Sequence, residues 1–300
     1  MIRGKKTFGG VSADAAIIAI TGLFTLLCLY PFWYMLIYSL SDPSEALKGV
    51  YFVPRGLTMF NIIKVLELKG IGQALLMSVL RTVSGTIVVM MCCSFLAYLF
   101  TKQEMPLRSF FYRAIIITMY ASGGLIPTYL LMRLYGLNNT FFIYILPSAV
   151  SAYNVVLIKT FIESLPPSLE ESAIIDGAGY TRVYWNIILP LSKPIIATIA
   201  VFAAVMHWNS WFDTHIYITD NNLITVQYLL YKFLNESNRI AEILKQSTNI
   251  QDVQATTSQV LTPKGVRMTV TLLATIPIFL AYPFAQRFFV QGIMIGAIKG

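Results

Sequence analysis

Charge is what this sequence lacks. Only 12% of its 300 residues are Asp, Glu, Lys or Arg, and 56% are hydrophobic, whereas a soluble domain carries about 25% charged residues. That leaves more apolar surface than one water-soluble core could hide. Cysteine is scarce too: Cys28, Cys92 and Cys93 all lie in apolar runs. An odd count with two neighbours gives neither a disulfide framework nor metal-ligand spacing. The two histidines, His207 and His215, have no partner at metal spacing, so no metal site is expected. The formal charge of +8 comes without a basic run or stripe, which argues against nucleic acid. The cluster Arg3, Lys5 and Lys6 reads instead as an anchor at the inner face of a membrane. Nothing matches the phosphate cradle G-x-x-x-x-G-K-[ST], so no ATP site is expected on this chain.

Long uncharged runs are what the sequence has. A helix needs about 20 mostly apolar residues to cross the hydrocarbon core. Six windows, each of 19 residues or more, carry no Lys, Arg, Asp or Glu: Ala15–Leu40, Thr82–Thr101, Ala114–Met132, Gly136–Ile158, Pro194–Phe212 and Met268–Gln286. Backbone polar groups must be paired within lipid, so these runs predict helices, and strand-period alternation is absent. The expectation is an all-α integral membrane protein, a single domain over residues 1–300. Its spans fall at about 14–40, 71–101, 110–133, 136–160, 191–213 and 265–288. The first run is too long for a signal peptide and has no small-residue cleavage site, so it is expected to be retained. Lys and Arg are densest in short segments on the N-terminal side, Arg3 to Lys6 and Lys102 to Arg113, which predicts both termini inside.

Two connecting segments are long, an inner loop at 161–190 and an outer loop at 213–264. The inner one reads SLPPSLEESAIIDGAGYTRVYWNIILP over residues 164–190. Pro166 and Pro167 suit a helix entrance, and Ser168 with Glu171 matches a capping box. Asp176-Gly177 predicts the end, because glycine accepts the left-handed cap. A second short helix is expected from Thr181, finishing before Pro190.

Glu171-Ser172-Ala173, then Asp176-Gly177-Ala178, then Ile188-Leu189-Pro190, resembles the EAA–G–I-LP loop of binding-protein-dependent ABC importer permeases. Ser172 departs from the Ala usual there, with a side chain still small. The stretches CLYPFWYMLIYSLSDPSE, GGLIPTYLLMRLYGLNNT, HWNSWFD and YPFAQRFFVQGIMIGAIKG carry the resemblance along nearly the whole chain, toward the carbohydrate-uptake, maltose-permease-like group and within it the permeases for oligosaccharides or polysaccharide fragments. The resemblance implies the type I ABC importer permease fold with cytoplasmic coupling helices. It implies docking of an ATPase subunit through Glu171, Ser172, Ala173, Asp176 and Gly177. It also implies a second permease subunit forming a heterodimer, two copies of the ATP-binding subunit that hold ATP and Mg, an extracellular or periplasmic solute-binding protein, and location with surrounding lipid in a bacterial plasma membrane. No enzyme activity or cofactor is expected on this chain itself.

Candidate pathway residues follow from polar or flexible groups inside apolar runs. Tyr120, Gly123 and Gly124 mark a break that serves either the pathway or helix packing. Asn154 needs a partner, from a neighbouring helix or a ligand hydroxyl. Trp208, Asn209, Trp211 and Asp213 combine aromatic faces with hydrogen-bonding groups, as sugar sites do; the competing reading is an interfacial aromatic belt. Asn209 and Asp213, four apart, are expected on one helical face. Arg81 reads either as a snorkelling charge or as a contact for an acidic sugar. The alternative function, an ion-coupled secondary transporter, wants intramembrane acids, and the six windows contain none. A membrane enzyme would have only His207 and Asp213 to work with.

Overall fold

The computed structural model describes residues 8–68, 70–235 and 262–297, with side chains over 14–68, 70–235 and 262–283. The described residues are mainly helical; their only extended pairing is one isolated antiparallel bridge, Ser41 with Leu57. The chain divides into two compact units, Met1–Leu68 with Phe233–Thr275, and Lys69–Lys232 with Ile276–Gly300.

In the first unit, helix α1 runs over Phe8–Ser39. Its stretch Asp14–Ser39 is apolar and long enough to cross a membrane, and residues 15–33 of it are exposed, only Ile37, Tyr38 and Ser39 at its end being buried. Such a helix requires lipid or another chain around it. Its end is fixed by hydrogen bonds, since the Asn61 side-chain amide donates to the carbonyls of Ser41 (2.7 Å) and Ser39 (3.3 Å). Asp42 caps the short helix Pro43–Ala46 by accepting from the amides of Ser44 and Glu45. The Ser44 hydroxyl, foremost, holds the Asp42 carboxyl below the usual carboxylate range.

The second unit is built around helix α2, Ile71–Leu99. Its buried positions Ile71, Ala74, Ser78, Arg81, Gly85, Val89, Cys93 and Ala97 recur every three or four residues, which makes one continuous stripe. Lipid tails are as apolar as leucine, so burial alone does not bring membrane helices together; close packing of small residues does. Here Gly85, Cys93, Ser94 and Ala97 are those residues. A Cβ on Gly85 would fall inside the His207 ring, so only glycine admits this approach. The opposing helices are α5 (Ala152–Ile162) and α7 (Lys193–Asn209), which share with α2 a core of Val89, Val155, Ile158, Ile199 and Ala203.

Three of the expected spans are not straight helices. The run expected at 110–133 forms two short helices, α3 (Arg108–Ile117) and α4 (Leu125–Leu134), with a non-helical stretch between them. Gly124 there adopts φ +79°, a left-handed value that suits glycine. The run expected at 136–160 starts as 3₁₀ turns at Phe141–Tyr144 and Leu146–Ser148 and bends by 49° into α5. Its freed backbone is repaired locally. The Ser151 amide donates to Cys93 Sγ (3.4 Å), and the Ser151 hydroxyl accepts from the Asn154 amide (3.4 Å). The run expected at 191–213 begins at Lys193, after an 80° bend, and its helix stops at Asn209. Ser210 is extended (φ −73°, ψ 127°), and a separate helix α8 covers Phe212–Tyr217. By length and composition, three described helices could cross a membrane, Asp14–Ser39, Ile71–Leu99 and Pro263–Pro283, and five if each bent pair is one span. The last belongs to helix α9, Pro263–Ala297.

The inner loop forms helix α6, Ser168–Ile175. It ends as expected: Gly177 has φ +84°, its amide donates to the Ile174 carbonyl (2.9 Å), and the Ala178 amide donates to the Ala173 carbonyl (2.9 Å). This is the double bond pattern of a Schellman cap. The start differs from expectation. No capping box forms, because Pro167 is itself helical and its carbonyl accepts from the amides of Glu170 (3.0 Å) and Glu171 (3.1 Å). The donor that the Ser168 hydroxyl would have bonded is already taken. The second short helix also departs from expectation. A helical run extends from Tyr180 through Pro190 to Leu191 by way of a π turn at Tyr184–Ile188. In a regular helix the Pro190 ring would clash with the carbonyl four residues earlier, and the wider turn relieves that clash.

Candidate functional site

Two regions gather the chemistry. The first is α6. One face stands on the protein: Leu165, Ala173 and Ala178 pack against the core cluster that includes Tyr98, Val183 and Tyr184. The anchor is Glu170, which is ion-paired with Lys102. The Tyr98 hydroxyl lies within hydrogen-bond range of the Glu170 carboxylate (3.1 Å) and the Tyr180 carbonyl (3.3 Å), and the Lys102 ammonium sits 4.3 Å from the Tyr98 ring centroid. Tyr184 closes this base, its hydroxyl 2.7 Å from Ser94 Oγ. The opposite face is open. Glu171, Ser172, Asp176 and Gly177 are exposed beside Leu169 and Ile174, and Ile175 is 85% exposed. Of the five expected docking residues, four are thus presented outward, while Ala173 backs onto the core. The anchoring trio Glu170, Lys102 and Tyr98 was not foreseen. The signal for Glu170 was its place three residues before Ala173, on the same helical face.

The second region lies where α2 meets the break between α7 and α8. Arg81 is buried and ion-paired with Asp213; its Nη1 donates to Asp213 Oδ1 (3.0 Å) and to the Ser210 carbonyl (3.1 Å). Its guanidinium lies 4.5 Å from the Tyr144 ring centroid. The Tyr144 hydroxyl lies 3.0 Å from Thr214 Oγ1 and donates to the Leu223 carbonyl (2.7 Å). Snorkelling of Arg81 is therefore overturned, because its charge is held inside by a partner 132 residues away. The shared helical face of Asn209 and Asp213 is also overturned. Ser210 is extended between them, and its carbonyl, freed from the helix, accepts from Arg81.

Around this pair is a cavity of about 210 Å³ lined by Arg81, Thr128, Met132, Ile143, Tyr144, Pro147, Ser148, Met206, His207, Ser210, Asp213 and Tyr217. Arg81 Nε and both ring nitrogens of His207 are buried without a hydrogen-bond partner in the chain. An unpaired buried polar group costs about 1–3 kcal/mol, so the cavity favours a polar occupant.

The other candidate residues are not all brought here. Trp208 is buried, lining a separate apolar groove of about 500 Å³ with Thr86, Ala204 and Tyr282. Asn209 is exposed, and Trp211 stacks on Tyr231 (centroids 4.0 Å apart, planes 16° apart). Tyr120 is 86% exposed next to the break at Gly123 and Gly124. Asn154 is buried in the first turn of α5. Arg81 and His207, both singled out in the sequence, line the cavity together, and Tyr144, which no motif announced, completes it.

Long apolar helices, two of them broken, with a buried ion pair at a helix break and a presented loop helix, suit a membrane component. The chain belongs to the family of binding-protein-dependent transport system inner membrane components, which it matches over residues 45–295. It is 34% identical to Protein LplC of Bacillus subtilis (strain 168), over 98% of this chain and 97% of that protein. It is 33% identical to the polygalacturonan/rhamnogalacturonan transport system permease protein YtcP of the same organism, over 93% and 95%. Among solved structures, a bacterial ABC transporter involved in the import of the acidic polysaccharide alginate matches with a TM-score of 0.82 and 26% identity, covering 94% of this chain and 98% of that one.

Proposed function

We propose that the chain is the permease subunit of an ATP-driven importer for oligosaccharides or polysaccharide fragments. It forms half of the translocation pathway beside a second, different permease subunit. Six crossings of the plasma membrane, with both termini cytoplasmic, set α6 on the inner face. There Glu171, Ser172, Asp176 and Gly177 meet one of two ATPase subunits, which bind ATP and Mg, while Ala173 keeps the helix seated. A solute-binding protein delivers sugar to the outer side, and the broken segments around Gly123–Gly124 and Asp213 border its path. The sugar class draws support from the relatives' names.

The observation that carries the coupling role is α6 itself. A helix tied down by Glu170 and Lys102 yet presenting Ile175 at 85% exposure is built to meet another protein. The test is at Gly177. A Cβ there meets no atom of this chain within 4 Å. Any side chain other than Asn or Asp nevertheless faces a left-handed backbone penalty of about 1–2 kcal/mol. Gly177→Asn, Gly177→Ala and Gly177→Asp therefore separate backbone strain from crowding and charge at the partner. The expected result is normal membrane insertion in all three. Gly177→Asp should lose the ATPase subunit in pull-down, or hydrolyse ATP without sugar uptake in vesicles. Full association together with wild-type uptake for Gly177→Asp would remove the loop from the coupling role.

A further inference from the structure

The geometry points to the Arg81–Asp213 cavity as a subsite for one uncharged sugar ring, recognised through its hydroxyl groups and not through a carboxylate. The inference rests on the sugar-permease reading and adds the ligand class that this pocket takes. Its volume, about 210 Å³, exceeds several times the roughly 30 Å³ share of one water molecule. Its polar inventory is mixed. Arg81 Nε is an open donor and His207 Nδ1 has no partner in the chain, both residues being at least 98% buried, while His207 Nε2 packs against Gly85. With Nε2 carrying the proton toward Gly85, a neutral imidazole leaves Nδ1 as an acceptor beside the Arg81 donor, and a carboxylate accepts only. A sugar hydroxyl, which donates and accepts at once, matches that mixture. A carboxylate does not, because the Arg81 guanidinium already donates to both oxygens of Asp213. An incoming anion would face Asp213 with no uncancelled positive charge to hold it. Thr128, Ser148 and Tyr217 line the same wall, with the Thr128 and Ser148 hydroxyls donating to backbone carbonyls and so left to accept.

The experiment uses the assembled importer in nanodiscs, with β-1,4-galactotriose and trigalacturonate as probes, and reads binding by calorimetry and uptake in vesicles. Wild type should bind the neutral probe at least about tenfold more tightly, a difference of about 1.4 kcal/mol. His207→Phe keeps an aromatic ring against Gly85 and removes both nitrogens; it should weaken neutral-probe binding about tenfold. Asp213→Asn uncovers the Arg81 charge and should reverse the preference toward trigalacturonate. If Asp213→Asn fails to assemble, His207→Phe decides alone. Tighter binding of trigalacturonate by wild type would overturn the inference. So would unchanged neutral-probe binding in His207→Phe while sugar uptake persists, since the cavity then holds only water. Uptake of neither sugar by an importer with intact ATPase would instead sink the sugar reading, and this subsite with it.

Discussion

Arg81 and Asp213 are unequal partners, and their inequality predicts which one the protein can lose. The Arg81 side chain is 3% exposed and Asp213 23%. Deleting Asp213 leaves a buried guanidinium with only the Ser210 carbonyl and the Tyr144 ring face. Deleting Arg81 leaves a wetter carboxylate that still accepts from the Ser210 hydroxyl (3.2 Å) and the Thr214 amide (2.8 Å). Breaking a buried pair costs about 3–5 kcal/mol. Asp213→Ala should fall in that range and Arg81→Ala below it, as read from thermal unfolding midpoints in detergent. Equal losses would refute the asymmetry. Gly85 gives a second test. A methyl there meets the His207 ring, and overpacking costs about 1–3 kcal/mol, so Gly85→Ala should destabilise and His207→Ala in the same chain should recover part of the loss. The sequence revealed that Arg81 was unusual but could not reveal why. Its partner lies 132 residues on, at a helix break that uncharged composition does not mark.

At the scale of elements, the end of α6 was legible and its start was not. A glycine after an apolar turn has one economical conformation, and Gly177 adopts it. Ser168 had two possible states, and the prolines before it chose, because the helical Pro167 carbonyl takes the first-turn amides. The Gly123–Gly124 break was likewise visible in composition, whereas the bend before α5 depends on Cys93 Sγ accepting from a distant amide. What holds α6 in place is the Glu170–Lys102 pair, only 19% and 12% exposed and flanked by Tyr98. A solvated surface pair is worth about 0–1 kcal/mol, and this one is better shielded. Glu170→Ala and Lys102→Ala should therefore speed amide exchange across residues 168–176, and the double variant should do little more than either single one. Glu171→Ala, on the open face, should leave exchange unchanged while weakening ATPase-subunit association. Equal exchange in Glu170→Ala and wild type would mean that the helix is held by packing alone.

At the scale of the whole molecule, the proposed function implies a division of labour. The sequence has no Walker-type phosphate loop, and its described His, Cys, Asp and Glu residues form no group able to hold a metal ion. On the proposed function, the energy for transport reaches this chain through contact with an ATPase subunit. The fold offers a seated surface for that at α6, and α2 runs from the anchor of α6 at Tyr98 to the pocket at Arg81. A rigid helix joining the two places is a physical route by which closure of an ATPase could bias the pocket. The purified chain reconstituted alone should hydrolyse no ATP. Adding the partner permease and the ATPase subunit should produce hydrolysis, and a sugar-loaded solute-binding protein should raise its rate. Arg81→Ala should blunt that rise without lowering the basal rate, because the ATP sites are untouched and only the far end of α2 is altered. A normal response in Arg81→Ala would show that α2 does not carry the signal. Hydrolysis by the chain alone, with a contaminant-free control, would overturn the division of labour itself.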